Sequence, residues 1–224
     1  MVIEVRKRMA YQTILFDLDG TLLDTLEDLA DAVNHILERH RCPQRTLDEV
    51  RAFVGNGLGM LMRRCLPAQY SQTVSDLLAE ELRTYYTAHS RVKTSAYPGI
   101  RELLEKLHAA GAKVAVVSNK ADEAVGELCN FYFPGLIDAA VGETAGRRPK
   151  PAPDTVELAL ERLGVDKENA VYVGDSQVDV DTAKAAGLPC IAVTWGFRTE
   201  DELLRAGAET LAGSADALER LLFA

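Results

Sequence analysis

Short runs of apolar residues recur along this chain, and most are followed by a turn and then by apolar residues at helical spacing. The runs predict strands at Thr13–Asp17, Lys113–Ser118, Asp138–Gly142, Ala170–Asp175 and Cys190–Thr194. The segments between them predict helices at Gly99–Ala110, Ala121–Asn130, Pro153–Leu163 and Val178–Ala186. Because the runs are continuous rather than alternating, we expect strands that are covered on both faces. Strands that alternate with helices predict an α/β fold, a Rossmann-like core built on a doubly wound parallel sheet.

The stretch from Leu26 to Arg91 departs from this alternation, because it contains only amphipathic helical patterns. It follows the first strand directly, and the sheet pattern resumes near Pro98. We therefore predict a core formed by residues 1–22 and 93–224, with an α-helical cap inserted at residues 23–92. Ligands of open α/β sheets bind at the carboxyl ends of the strands. The cap leaves the core at that edge, so we expect it to cover the site.

The composition and the charge of the chain restrict its partners. The 224 residues are 47% hydrophobic, which is enough for a sizeable core, and they carry a net charge of −9. Nucleic acids and anionic membranes attract clustered Lys and Arg, so we expect neither as a partner. A small phosphorylated metabolite remains compatible with an acidic chain if a metal cation or a few basic residues meet its phosphate. The sequence leaves open whether the protein is a monomer or a homodimer.

The cysteines and the N-terminus bear on the location of the protein. Cys42, Cys65, Cys129 and Cys190 are far apart and form no metal or redox motif, as is usual in a reducing cytoplasm. The first residues are too charged for a signal peptide, and no segment approaches the roughly 20 apolar residues of a membrane span. We therefore predict a cytoplasmic protein, in which the residues before Met9 form an extension and Met9 is an alternative start.

Polar residues of related chemistry stand where strands end or helices begin, in the stretches DLDGT, SNK, RRPKPAPD and GDSQVD. The carboxyl ends of parallel strands meet at one edge of a sheet, so we expect these stretches to lie together. They contain Asp17, Asp19, Thr21, Ser118, Asn119, Lys150, Asp175 and Asp179. Carboxylates packed at this density repel one another unless a cation lies among them. Lys150 supplies one positive charge, and oxygen ligands in this number favour Mg²⁺.

These four stretches resemble, in the same order, the four motifs of the haloacid dehalogenase superfamily of phosphohydrolases. The helical insertion after the first motif resembles the small α-helical cap of that superfamily, and the resemblance covers nearly the whole chain. It implies a phosphatase that acts on a small phosphorylated metabolite through an aspartyl-phosphate intermediate, with Mg²⁺ as the cofactor.

The resemblance also assigns roles to the matching acids. It implies that Asp17 is the nucleophile that attacks phosphorus. Asp19 is then the general acid for the leaving alcohol and afterwards the general base for water. The implied metal ligands are the Asp17 carboxylate, the backbone carbonyl of Asp19 and Asp175. Asp179 is expected beside these ligands without binding the metal itself, where it holds a metal-bound water or Lys150.

The remaining motif residues are expected to hold the phosphoryl group. The resemblance implies that Ser118 donates a hydrogen bond to its oxygens, together with the backbone amides of Leu18 and the Asn119 region. Lys150 is expected to balance the negative charge of Asp17 and of the phosphoryl group. Taken alone, Lys150 would be an ordinary surface lysine, and only its place before PAPD gives it this role.

The predicted cap contains the stretch VGNGLGM, Val54 to Met60, which bears on the choice of substrate. Backbone N–H groups of Gly55, Asn56 and Gly57 would suit a small anionic leaving group, although a plain helix–helix turn explains the glycines equally well. Arg64 would add charge for a carboxylate, unless it faces outward. The stretch, like the chain overall, resembles phosphoglycolate phosphatases, which makes 2-phosphoglycolate the expected substrate.

Other activities remain as alternatives at this stage. Within the superfamily they are a pyrophosphatase, a sugar-phosphate or nucleotide phosphatase and a phosphomutase. A haloacid dehalogenase needs neither a second acid nor a metal, so Asp19 and Asp175 argue against it. A phosphonate-cleaving enzyme would use a cap lysine, and the sequence has none between Leu26 and Arg91. A non-catalytic phosphate-binding module would be expected to lack a motif carboxylate, and all of them are present.

Overall fold

A six-stranded parallel sheet lies at the centre of the structure, a computed structural model that describes residues 9–223. The strands are β1 (Thr13–Phe16), β2 (Leu23–Asp24), β3 (Ser95–Ala96), β4 (Lys113–Ala121), β5 (Ala139–Glu143), β6 (Ala170–Gly174), β7 (Cys190–Val193) and β8 (Thr210–Ala212). The sheet has the order β5-β4-β1-β6-β7-β8, and β2 pairs with β3 separately. The predicted extension before Met9 lies outside the described residues.

The helices occupy the intervals between these strands. They are α1 (Leu26–Arg39), α2 (Leu47–Phe53), α3 (Gly57–Cys65), α4 (Gln72–His89), α5 (Ile100–Ala110), α6 (Asp122–Tyr132), α7 (Asp154–Leu163), α8 (Gln177–Ala186), α9 (Glu200–Arg205) and α10 (Ala215–Leu222). The four core helices that the sequence predicts are all present, and their ends agree with the prediction to within two residues. No helix within residues 9–223 combines the length and the apolar character that crossing a bilayer requires.

Strand β1 shows why the strands of this sheet are continuous apolar runs. Successive side chains of a strand point to opposite faces of the sheet. Accordingly, Ile14 and Phe16 pack into a cluster with helices α5, α6 and α10, while Leu15 packs into a second cluster with α7 and α8. All three side chains are fully buried. Helices therefore cover both faces, and the predicted Rossmann-like α/β core is confirmed.

Helices α1 to α4 bury their apolar faces mainly against one another. Their cluster includes Val33, Val50, Leu61 and Leu82, and it is separate from the two clusters that flank the sheet. Among the described residues, Phe197, which follows β7, is the buried member of this cluster that comes from outside residues 23–92. The insertion thus has a hydrophobic centre of its own, and the core contributes one side chain to it.

The chain leaves the core and returns to it at the same place. Leu23 pairs with Ala96 in the antiparallel ribbon formed by β2 and β3. Just beyond it, the buried carboxylate of Asp28 on α1 accepts hydrogen bonds from the backbone N–H groups of Val92, Lys93 and Thr94, at 2.9–3.0 Å. The β2–β3 ribbon and the buried carboxylate of Asp28 therefore fix how the insertion meets the sheet.

Helix α2 begins with strong local signals. The Thr46 hydroxyl accepts a hydrogen bond from the Glu49 N–H, and the Glu49 carboxylate accepts one from the Thr46 N–H. Such a capping box stabilises a helix start by about 0.5–2 kcal/mol. The start of this short helix is thus fixed by its own sequence, whereas its end depends on a distant contact described below.

The structure differs from the predicted elements in three places. The ribbon strands β2 and β3 were not predicted, and neither was strand β8 with the helices on either side of it, because two or three residues are too few for a strand pattern to be recognised. Strand β4 continues to Ala121 instead of ending at Ser118, and its register against β5 shifts between Val117 and Ala121. The polar residues of SNK are therefore presented by an irregular strand rather than by a loop.

Candidate active site

Asp17 stands directly after the central strand of the sheet. Its backbone N–H donates a hydrogen bond to the Val173 carbonyl at 2.8 Å, which extends the pairing of β1 with β6 by one residue. Its side chain is only 6% exposed, at the carboxyl edge of the sheet. A strand flanked on both sides thus holds this carboxylate in a fixed position.

The Lys150 ammonium is the cation that meets this acid. Its Nζ lies 2.6 Å from Asp17 Oδ1, 2.8 Å from Asp179 Oδ1, 3.0 Å from the Tyr172 hydroxyl and 3.2 Å from the Val117 carbonyl. Burial lowers the pKa of Lys150, but the carboxylates of Asp17 and Asp179 raise it well above its ordinary value. The side chain therefore stays charged although it is almost completely buried.

Asp175 and Asp179 follow strand β6 and complete the acidic cluster. Oxygens of Asp17, Asp175 and Asp179 lie within 4.8 Å of one another. Asp175 Oδ2 accepts a hydrogen bond from the Phe197 N–H at 2.6 Å. Asp179 is bonded on both oxygens, since Oδ1 faces Lys150 and Oδ2 accepts from the backbone N–H and hydroxyl of Ser176. Of the two, Asp175 has the freer carboxylate.

The charges of this cluster fit a divalent cation. Three buried carboxylates face one ammonium, which leaves negative charge uncompensated. Burial raises the pKa of Asp17 to about 7 even though Lys150 lowers it, and burial followed by the charges of Asp179 and Asp17 raises that of Asp175 well above its usual range. Hard oxygen donors in this number are what Mg²⁺ prefers. The residues present therefore fit the predicted ion.

Two glycines allow the backbone to approach Asp175. Gly20 has a φ of +89°, which favours glycine, and a Cβ at this position would overlap the Asp175 carboxylate. A Cβ on Gly196 would overlap the Gly20 carbonyl and the Asp175 side chain. The Asp175 carboxylate thus occupies a cradle formed by glycine backbone from two loops.

Asp19 is not part of the acidic cluster and pairs with a different lysine. Lys120 Nζ lies 3.0 and 3.1 Å from its two oxygens, 3.2 Å from the Tyr86 hydroxyl and 4.5 Å from the centre of the Tyr86 ring. Burial lowers the pKa of Lys120, but Asp19 and Tyr86 raise it above its ordinary value. The expected acid–base residue is therefore linked through one ammonium to helix α4.

A cavity lies above the acidic cluster and is lined by Asp17, Asp19 and Lys150. The residues expected to hold a phosphoryl group lie around it. Ser118 is 2% exposed and lines it, as does Asn119. The Leu18 side chain is buried in the core, and within residues 9–223 its backbone N–H donates no hydrogen bond. The Asn119 side chain bonds both the N–H and the carbonyl of Lys150, at 2.8 and 3.1 Å. This places the side chain of Asn119 in a supporting role next to the lysine.

The glycine-rich stretch lies opposite these residues, at the start of α3. Gly55 and Gly57 line the cavity, and the Asn119 amide donates to the Gly55 carbonyl at 3.4 Å. Asn56 and Arg64 are not among the lining residues. The Arg64 guanidinium instead donates to the Phe53 carbonyl at 2.6 Å and to the Asn56 side chain at 3.0 Å. Arg64 and Asn56 therefore stabilise the conformation of the stretch without lining the cavity.

Comparison with known proteins places this arrangement in a family. The family model of haloacid dehalogenase-like hydrolases matches residues 14–193. The chain belongs to this family. A phosphoglycolate phosphatase of Pseudomonas putida is 36% identical to this hydrolase over 193 residues, which cover 82% of this chain and 70% of the relative. One from Aquifex aeolicus is 34% identical over 187 residues, covering 83% and 86%.

A solved structure extends the likeness to the whole fold. The crystal structure of a candidate phosphoglycolate phosphatase from Lactobacillus delbrueckii subsp. bulgaricus matches this hydrolase with a TM-score of 0.90 at 35% identity, covering 95% of this chain and 98% of that one. The predicted superfamily is thereby confirmed, and the prediction of a phosphomonoester hydrolase agrees with the names of these relatives.

Three features of the hydrolase site were not predicted from the sequence. Lys120 belongs to the recognised stretch SNK, but its pairing with Asp19 spans 101 positions and leaves no local signal. Tyr172 sits inside an apolar run that reads as plain core. Phe197 and Arg198, which follow β7, both line the cavity, and neither was singled out from the sequence. For Arg198 the only available signal was a cation just beyond a strand end.

Proposed function

We propose that the protein is a Mg²⁺-dependent phosphatase that hydrolyses a small phosphomonoester, 2-phosphoglycolate, through an aspartyl-phosphate. The observation that carries this proposal is the cluster at the carboxyl edge of the sheet, where Lys150 lies 2.6 Å from Asp17 and oxygens of Asp17, Asp175 and Asp179 lie within 4.8 Å of one another. Asp17, Asp175 and the backbone carbonyl of Asp19 would hold Mg²⁺, which neutralises phosphate charge when bound. Asp179 would hold Lys150 in place.

The residues of the chain account for both halves of the reaction. A carboxylate oxygen of Asp17 bonds to phosphorus while the bond from phosphorus to the alcohol oxygen breaks, and Asp19 gives that oxygen its proton. Water then adds to phosphorus, Asp19 takes its proton, and the bond between phosphorus and Asp17 breaks. Ser118 and the Leu18 N–H hold the phosphoryl oxygens, and Lys150 balances their charge.

The choice of 2-phosphoglycolate rests on the relatives' names and on the charges within the cavity. Lys120 lines the cavity beside Asp19, on the side where the leaving group departs. The carboxylate of 2-phosphoglycolate would give its ammonium a new partner. As an acid, Asp19 must carry a proton, so its contact with Lys120 has to loosen when substrate binds. A substrate with its own carboxylate offers a way to loosen it.

The helical insertion acts in this proposal as a cap over residues of the core. Its hydrophobic cluster is separate, it is attached through the β2–β3 ribbon, and Gly55 and Gly57 face the acidic cluster across the cavity. We place the cap at residues 23–92 and the core at residues 1–22 and 93–224. Lids of this kind exclude water from the reacting groups.

The proposal is tested by a substrate panel assayed with and without Mg²⁺. The panel contains 2-phosphoglycolate, inorganic pyrophosphate, a sugar phosphate and a nucleoside monophosphate. We expect metal-dependent release of phosphate, fastest from 2-phosphoglycolate. Asp17→Asn should lower kcat by roughly a thousandfold or more, because it removes the nucleophile. Asp31→Asn, on the surface of α1, is the control for an equivalent change of charge.

Two results would contradict different parts of the proposal. Full activity in Asp17→Asn, or a rate of phosphate release that is the same with and without Mg²⁺, would exclude the phosphatase mechanism. Turnover of 2-phosphoglycolate no faster than of the other compounds would leave the mechanism in place and remove the substrate assignment. A preference for pyrophosphate or for a sugar phosphate would then identify one of the alternatives within the superfamily.

A further inference from the structure

The short segment after strand β7 joins the acidic cluster to the helical insertion. The Phe197 N–H donates to Asp175 at 2.6 Å, while its side chain packs into the cluster of helices α1 to α4. The next residue, Arg198, sends its guanidinium to the end of helix α2. One dipeptide of the core thus contacts a proposed metal ligand through its backbone and the insertion through both side chains.

The Arg198 guanidinium binds the last carbonyls of helix α2. It donates to the Arg51 carbonyl at 2.7 Å and to the Val54 carbonyl at 2.5 Å, and a longer contact of 3.5 Å reaches the Ala52 carbonyl. The final carbonyls of a helix lack partners within the helix and form the negative end of its dipole. A planar guanidinium with several N–H donors suits such a group of carbonyls.

These contacts are unusual in their origin. The carbonyls at the end of a helix are ordinarily satisfied by the residues that follow it in the chain. Here the donor lies 144 to 147 positions away and belongs to the core. Within residues 9–223, Arg198 makes no salt bridge, so carbonyl oxygens are its main hydrogen-bonding partners.

The contact fixes the part of the insertion that faces the site. The Val54 carbonyl accepts from Arg198, and Val54, Gly55 and Gly57 line the cavity. Among the described residues, the only other hydrogen bond between this segment and the core is the long one of 3.4 Å from the Asn119 amide to the Gly55 carbonyl. Removing the guanidinium should therefore release the segment from its place above the site.

We propose that Arg198 is a positioning residue that holds the segment Val54–Gly57 over the active site and so determines how well a small substrate is retained. The inference rests on the proposed function, because it takes the cavity as the substrate site. Arg198 acts here through the backbone that it binds. Its loss should weaken substrate binding more than it slows the chemical step.

The test compares Arg198→Met, Arg198→Lys and the control Arg205→Met. Arg205 is also an arginine bonded to a carbonyl, that of Asp201 at 3.0 Å, but within the exposed helix α9 and away from the insertion. KM and kcat are measured with whichever compound of the panel the wild-type enzyme hydrolyses fastest, so a wrong substrate assignment does not affect the result. Amide hydrogen exchange of residues 50–57, without substrate, gives a second readout that needs no activity.

We expect Arg198→Met to raise KM about tenfold, to change kcat less than threefold, and to accelerate exchange in residues 50–57. Arg198→Lys should recover part of both effects, because one ammonium reaches fewer carbonyls. Arg205→Met should match the wild type in both. Unchanged KM, a fall confined to kcat, or exchange in residues 50–57 that stays at the wild-type rate would each overturn the proposal. If Arg198→Met does not fold, the same criteria apply to Arg198→Lys.

Discussion

The substitution Asp28→Asn tests how the helical insertion is attached to the sheet. The Asp28 carboxylate accepts from the N–H groups of Val92, Lys93 and Thr94 at 2.9–3.0 Å and from the Thr94 hydroxyl at 2.8 Å. Asparagine keeps the shape and one acceptor oxygen. It replaces the other oxygen with an NH₂ group that faces N–H donors, and it removes the charge that strengthens all of these bonds.

The magnitude follows from the exposure of the donors. Water can replace Asp28 at the exposed residues Val92 and Lys93, but Thr94 is only 8% exposed and donates two of the bonds. Hydrogen bonds to a charged group contribute about 1.5–3 kcal/mol each, so complete loss of these two would cost about 3–6 kcal/mol. Asparagine retains one acceptor, and we expect a loss near the lower limit. For a chain of this length, about 3 kcal/mol corresponds to a midpoint lower by about 6–12 °C.

Thermal and urea unfolding followed by circular dichroism measure this loss, and hydrogen exchange at residues 92–94 locates it. The matched control is Asp31→Asn. Asp31 also contacts residue 93, but through the Lys93 ammonium at 2.7 Å on the surface, where an ion pair has little effect on stability. We expect Asp31→Asn to melt like the wild type. The reasoning is refuted if Asp28→Asn melts at the wild-type temperature, or if the control loses as much.

Two further substitutions probe the support of the acidic cluster. Tyr172→Phe removes the hydroxyl that lies 3.0 Å from Lys150 Nζ, and we expect kcat to fall about three- to tenfold while the free energy of unfolding drops by about 1 kcal/mol; an unchanged kcat would show that the other partners of Lys150 suffice. Gly196→Ala places a methyl group against Asp175, and we expect Mg²⁺ affinity, measured by activity titration and calorimetry, to fall at least tenfold. Gly126→Ala, where a methyl group meets nothing within 4 Å, is the control and should bind Mg²⁺ like the wild type; equal affinities in all three proteins would disprove the cradle argument.

Much of the core could be predicted because it depends on local pattern and on one rule of topology. Strands β1, β4 and β6 are buried on both faces, so their apolar runs are continuous and easily recognised. Parallel strands present their carboxyl ends at one edge, so Asp17, Lys150 and Asp175 were expected together before any distance was known. The family resemblance supplied their roles, and these remain a proposal.

The parts that could not be predicted depend on partners distant in the sequence. Lys120 could have joined the cluster around Asp17, and nothing local indicates that it pairs with Asp19 and Tyr86 instead. The glycines of the predicted specificity stretch indicate a turn. The position of this turn over the site depends on Arg198, which is 144 positions away from Val54 in the sequence. Local sequence fixes the start of α2, whereas tertiary contact fixes its end.

The pairing of β2 with β3 has a consequence for how such proteins diversify. Because Leu23 and Ala96 are paired, the insertion is attached to the core like a loop whose two ends lie side by side. The entropy of closing a loop grows only with the logarithm of its length, so doubling an insertion at this point costs about 0.6 kcal/mol. Insertions of other sizes and sequences can therefore replace helices α1 to α4 while Asp17 keeps its place on the sheet. In the proposed function, Asp17 and Lys150 belong to the part of the chain that stays, whereas Gly55 and Gly57 belong to the part that can be exchanged.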